Sequence, residues 1–490
     1  MIQKTKAALK DLLFGNDQKK LTMSYTGITR FAPLIVVGGF FLITILLFAF
    51  GPLDWNLKNP LKLYGFLSAC VVALTGGYML SVYKTKTDTK PVGINIEKLL
   101  IIGAIIYLIM YIPTVYITTG KFYPDIYTGI TDTGLAYRTS KLFNETASPI
   151  ILYVRMLISP AMIFVTPITI YFLSKLSTKA KVLGISVIVL TTFLGIAQGI
   201  NKNVADITAQ LVLALIIVLL AATGKTRKQL WKHRLKIVAL ILIIVLLFLL
   251  YYANGMTNRV TSDLESDPAL EDVVDKDTDK DKDKNHKHDK IDQETITDAI
   301  NTTAQFSFGT PKEDYFLNKV LPARAVSIVS FLSSYLSHGY NGLSLALEED
   351  FTSTYGLGFS DFFRHNALKL AGKSEIEDDV KANTYYGKIG KLGWPTGAVW
   401  SSFFVYPASD IGFIATILLV ALIGFLFGLS WKHSLTTQNP FALTSFFGFS
   451  TMIFYFSANN QMFQGGENFI GFIAMLVLWA VSTIYYRKKS

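Results

Sequence analysis

The chain has 490 residues, 51% of them hydrophobic and 17% charged, with a mean hydropathy of +0.40; this is more apolar than a soluble core of that size requires, and it makes the bilayer the expected solvent. The net charge of +11 lies in short segments between apolar runs, which fits anionic lipid headgroups and argues against nucleic acid as a partner. A lone cysteine, Cys70, excludes an internal disulfide, a redox pair and a cysteine-built metal site.

Residues 1–30 are polar and basic, and the apolar run after them has no small-x-small cleavage pattern, so an uncleaved first helix is expected. A hydrocarbon layer of about 30 Å needs about 20 mostly apolar residues per helix. Such runs lie near 33–52, 61–83, 97–119, 150–173, 182–199, 203–222 and 235–254, then near 402–430, 440–458 and 467–486. The expected fold is all-α, a polytopic transmembrane bundle of about ten helices with one large loop carrying short helices.

Lysine and arginine recur in alternate connections: the N-terminal segment, Lys84 to Lys90, Lys175 to Lys181, Lys225 to Lys236, Lys432, and the tail from Arg487. By the positive-inside rule these face the cytoplasm, with both termini, while 53–60, 120–149, the tight 199–203 turn, 255–401 and 459–466 face outward. The stretch 322–347 is interrupted by Ser327, Ser330, Ser333, Ser334, Ser337 and His338. A full crossing there would export the basic tail, so a surface-lying or re-entrant helix is expected.

Within the outer loop, 263–294 is a low-complexity charged run that should be disordered. Asp275, Asp277 and Asp279 have calcium-loop spacing, but Lys280 and His286 stand where the loop needs glycine and a bidentate glutamate, so a solvated spacer is expected. From about 311 to 400 the loop is rich in aromatics and glycine and should fold against the membrane.

Arginine is scarce, nine against abundant lysine, and five of the nine fall on the outer side: Arg138, Arg155, Arg259, Arg324 and Arg364. Guanidinium matches phosphate oxygens bidentately, so an anionic outward partner would account for them. Snorkelling to headgroups accounts equally for Arg155 and Arg324. At the start of the sixth helix Lys202, Asp206 and Gln210 form one helical stripe, which must face protein or water unless Lys202 and Asp206 only anchor the helix at the interface. His338 and His365 are candidate general bases or plain interfacial residues. Asp410 and Glu467 each begin an apolar helix and read first as caps. The 120–149 loop mixes tyrosines with Asp125, Asp132 and Arg138, a set suited to sugar rings and hydroxyls.

This pattern resembles the Wzy-type polymerases, which join lipid-linked oligosaccharide repeat units into bacterial capsular or O-antigen polysaccharide. The resemblance rests on architecture and on four patches: YPDIYTGITDTGLAYR, GINKN, YLSHGYNGLSLALEEDFTSTYGLGFS and WSSFFVYPASDIGFIATILL. It implies an inverting, metal-independent glycosyltransferase without cofactor in the bacterial cytoplasmic membrane. The growing chain on undecaprenyl diphosphate would pass to a hydroxyl of an incoming lipid-linked unit. Arg138, Lys202, Arg324 and Arg364 would hold the diphosphates, with lysine at 202 where relatives often carry arginine, and His338 would assist the nucleophile. Arg155, Asp125, Asp206, Tyr340 and Asp410 complete the implied substrate-facing set. A chain-length regulator and a flippase of the same pathway are the implied protein partners. An O-antigen ligase and a polysaccharide transporter or flippase remain as alternatives. The transporter would show repeats and broken helices, and the uninterrupted LKIVALILIIVLLFLLYY counts against it.

Overall fold

The computed structural model describes residues 21–85, 90–146, 149–224, 227–266, 309–396 and 399–488. From residue 267 onward, the run expected to be disordered lies outside the described residues.

The chain begins with β1 (Leu21–Met23), a π-helical turn at Leu34–Gly38 and α1 (Gly39–Phe50), followed by β2 (Leu53–Trp55), α2 (Pro60–Lys84) and α3 (Ile96–Thr119). Two short helices, α4 (Ile126–Thr131) and α5 (Thr133–Thr146), lead to α6 (Pro149–Met162), α7 (Val165–Tyr171), α8 (Thr178–Ala197) and α9 (Asn201–Ala221). Next come β3 (Ala222–Gly224), α10 (Arg227–Ser266) and β4 (Gly309–Pro311). The loop helices are α11 (Ala323–Ser337), α12 (Gly339–Ala346), α13 (Asp361–Leu370), α14 (Glu377–Asn383) and α15 (Tyr385–Lys391). The chain then returns through α16 (Val405–Thr436), α17 (Pro440–Phe454), α18 (Gln461–Gln464) and α19 (Gly466–Lys488).

Among the described residues nine helices are long and apolar enough to cross a membrane, so the chain is an all-α, multi-pass membrane protein. The first expected span appears as Leu34–Phe50, which at about 1.5 Å per residue falls short of a 30 Å layer. The 322–347 stretch forms two helices packed on the protein. It breaks at His338 into α11 and α12, and α12 is buried against α2 and α15, with Tyr340, Leu343 and Ala346 fully covered.

Several spans start on a side chain that satisfies first-turn amides. Asn59 accepts from Lys62 N, Asn95 from Lys98 N, Ser177 from Ala180 N, and Asn439 from Phe441 N and Ala442 N. Such caps stop the helix where hydrocarbon gives way to headgroups, since inside the layer no water would serve those amides.

Burial sorts the helices. Of the apolar window of Pro440–Ser457, 83% is inside the protein, against 11% for Arg227–Gly255. The first is the central pillar and tolerates Thr444, Ser445, Ser450 and Thr451, while the second is lipid-facing and apolar all round. The most extensive helix pair is α2 with α16, and it is built on small residues. A Cβ at Gly77 would strike the carbonyl of Ala421, one at Gly424 the carbonyl of Leu74, and one at Gly428 the Ser81 hydroxyl. Close backbone approach of this kind replaces the hydrophobic effect, which lipid cannot supply between helices.

The connections gather at two ends. At the basic end, β1 pairs antiparallel with β3, Lys432 donates to Thr85, and Val92 N bonds Thr437 O. At the other, here the loop end, β2 pairs with β4, Lys62 meets Glu348, and Ser360 Oγ donates to Phe463 O. The loop is clamped there by Asp410, whose Oδ1 accepts from the Thr354 hydroxyl and from the amides of Gly356 at 2.8 Å and Gly358 at 2.9 Å. Asp410 therefore ties a loop to α16 and does not cap its own helix. Gly412, at φ 76°, breaks α16 two residues later, a conformation open to glycine at no steric cost.

Replacing Gly424 by valine should force α2 and α16 apart, at about 3 kcal/mol. Thermal unfolding in detergent would show a lowered midpoint, and an unchanged midpoint would contradict the tight contact.

Candidate functional site

A cavity of about 330 Å³ lies inside the bundle, nearer the loop end. Three helices line it with the i, i+3, i+4, i+7 stripe that makes one helical face. Helix α3 presents Tyr107, Met110, Tyr111 and Thr114, and α17 presents Thr444, Phe447, Gly448 and Thr451. Helix α6 presents Arg155, Ser159 and Met162. Pro113 interrupts α3 and Pro160 interrupts α6 beside the cavity. Proline removes an amide and crowds the preceding turn, so each helix lacks one backbone hydrogen bond there.

Among the described residues the charged side chains lining the cavity are one arginine and one glutamate. Arg155 Nη2 lies 2.8 Å from Glu467 Oε1 and 3.0 Å from Oε2, joining α6 to the first turn of α19. About a fifth of the Arg155 side chain and a third of that of Glu467 remain exposed. The pair stabilises both charges near the membrane, while the other guanidinium nitrogens stay available as donors. Around it stand hydroxyls and amides: Tyr111, Thr114, Gln210, Gln461 and Asn468. Tyr107 and Thr191 share a 2.6 Å hydrogen bond, and the buried Tyr111 hydroxyl has no hydrogen-bond partner.

Of the residues expected at a site, the cavity collects Arg155 and Gln210. The stripe on α9 turns inward as it must: Asp206 accepts from the Tyr455 hydroxyl and Gln210 lines the cavity. Of the four residues expected to hold one anion, Arg138 and Arg364 have described side chains, and neither lines the cavity. Arg138 is exposed on α5. Arg364 is buried on α13, bonded to Asp361 at 2.6 Å with Glu377 4.0 Å away, so carboxylates already meet its charge. The side chains of Lys202 and Arg324 lie outside the described residues.

The remaining candidates have other duties. Asp125 caps α4 through Thr128 N and contacts Lys121; Lys121 and the Thr128 amide hold its carboxyl down at about 2. Tyr340 is packed edge-on against Phe48, its hydroxyl 2.8 Å from Thr44 Oγ1. His365 leans on Glu377 at 3.0 Å. His338 sits at the break between α11 and α12, Nδ1 donating to Ser334 O at 2.9 Å, its ring beside Trp400. Burial pushes its pKa down to about 4, and Nε2 is enclosed with no hydrogen-bond partner. The ring is thus neutral and walled in, and it does not line the cavity.

Glu467 is the site residue that the sequence pattern missed. As the first acid of an apolar helix it reads as a cap, and its role is visible only with Arg155 opposite. The available signal was the occurrence of two opposite charges, each near the loop-end start of a membrane helix. The chain matches no protein-family model, no curated protein and no solved structure.

Removing one partner of the pair leaves the other charge stranded. Glu467→Gln and Arg155→Met should each lower stability by about 2 kcal/mol, and the double Arg155→Met/Glu467→Met should recover most of it. Unfolding midpoints in detergent measure this; single losses that simply add in the double variant would contradict the coupling.

Proposed function

We propose that this chain is a membrane glycosyltransferase that polymerises lipid-linked oligosaccharide repeat units, with the Arg155–Glu467 cavity as its reaction site. The observation that carries the reading is a cavity within the bundle that combines one guanidinium, one carboxylate and a ring of hydroxyls and amides. A sugar diphosphate on a polyprenyl tail needs that combination: donors for phosphate oxygens, hydrogen-bonding side chains for sugar hydroxyls, and a route for the tail between helices.

In this reaction the bond between the sugar's anomeric carbon and the phosphate oxygen breaks, and a new bond forms from that carbon to the acceptor's hydroxyl oxygen with inversion. Glu467 takes the hydroxyl proton, and Arg155 turns its guanidinium to the departing polyprenyl diphosphate. The donor is an undecaprenyl-diphosphate-linked chain, and the reaction face is the outer side of the bacterial cytoplasmic membrane. Glu467 thus takes the role that the sequence pattern gave to His338.

A polysaccharide translocator is the second reading, favoured by the break at Gly412 inside α16, since discontinuous helices recur where a substrate crosses.

Purified protein in vesicles should convert lipid-linked repeat units into a ladder of longer products with release of polyprenyl diphosphate. Arg155→Lys, which keeps the charge but loses the planar fork, should slow ladder formation by about 100-fold. Movement of intact units between leaflets with no new glycosidic bond would overturn the enzymatic reading in favour of the translocator.

A further inference from the structure

A second recess lies at the basic end, far along the chain's architecture from the Arg155 cavity, and independent of the reaction proposed there. Its walls are apolar side chains: Ile170 from α7, Leu215 and Val218 from α9, Ile237 and Leu240 from α10. Its polar residues come from the segments that follow or precede those spans: Ser174, Lys175, His233 and Gln438. Helix α7 ends at Tyr171, α9 ends at Ala221 and the apolar part of α10 begins near Leu235, so the recess straddles the boundary between hydrocarbon and headgroups. One wall is α10, the helix whose apolar window is 11% buried, so that side is open to lipid.

The charge balance here is one-sided. The segments 172–182, 222–236 and 431–439 carry Lys175, Lys179 and Lys181, then the cluster from Lys225 to Lys236, then Lys432, with no aspartate or glutamate among them. The carboxylate that approaches is Glu97, and it is taken by the amide and hydroxyl of Ser177. Lys175 lies with its ammonium 5.3 Å from the centre of the Phe172 ring and forms no ion pair among the described residues. Burial alone pushes its pKa down, with no acid to offset it.

An apolar trough leading to Lys175, which forms no ion pair among the described residues, is the shape of one occupant, and we infer that the recess is a binding site for an anionic phospholipid. An acyl chain lies along Ile170, Val218 and Ile237, and the headgroup phosphate is held by Lys175 with His233, Ser174 and Gln438 as further donors. A free phosphate would satisfy the cations and leave the trough unexplained, whereas a neutral lipid would fill the trough and leave Lys175 unmet.

The test uses the full-length protein in phosphatidylcholine vesicles containing phosphatidylglycerol with a photoactivatable acyl chain, with adducts mapped by mass spectrometry. Adducts should concentrate on residues 170–175, 215–218 and 233–240. Lys175→Gln should reduce them about fivefold, Val218→Trp should abolish them by filling the trough, and Lys373→Gln at the loop end should leave them unchanged. Adducts spread evenly around the bundle, equal yield from photoactivatable phosphatidylcholine, or loss of the adducts on adding inorganic phosphate alone would each overturn the site.

Discussion

An arginine and a glutamate facing each other at 2.8 Å across two membrane helices is the arrangement on which this structure turns. Neither charge could enter the hydrocarbon alone at an acceptable cost, and together they require polar surroundings and space for water or a polar ligand. The stripes of α3, α6 and α17 supply those surroundings. The glycine-lined α2–α16 contact makes one side rigid, and the buried α17 stands at the centre.

The loop adds the second constraint. It is held on the bundle by specific polar contacts, of which the Asp410 clamp on residues 354–358 is the most concentrated, and by the insertion of α12 beneath it. The break at Gly412 lies two residues beyond Asp410, beside Phe351 of the loop.

Much of the fold was legible in the sequence because it depends on long apolar runs, and a bilayer leaves few ways to satisfy a 20-residue apolar segment. The spans appear close to where hydropathy places them, and the caps at Asn59, Asn95 and Asn439 mark their starts. The short first helix and the burial of α12 were less legible, because both depend on which neighbours cover them. Tyr340 reads as a substrate-facing residue until Phe48 and Thr44 are seen around it. The site was read least well. Counting arginines on one side finds Arg155 but also Arg364, although Asp361 three residues before Arg364 is a local sign that its charge is already met. The distinction lies in tertiary pairing over 312 positions in the case of Arg155 and Glu467, a separation that no local pattern records.

The most direct measurement of the account is chemical access to the cavity wall. With the sole native cysteine removed as Cys70→Ala, Tyr111→Cys should react with a water-borne thiol reagent, because its position faces the polar space around Arg155 and Glu467. Added lipid-linked oligosaccharide should protect it. Leu157→Cys, at a site 75% exposed on the outside of α6, should stay unreactive in the bilayer. Equal silence at both positions, or labelling at 111 that the oligosaccharide does not slow, would contradict a solvated substrate cavity at this pair.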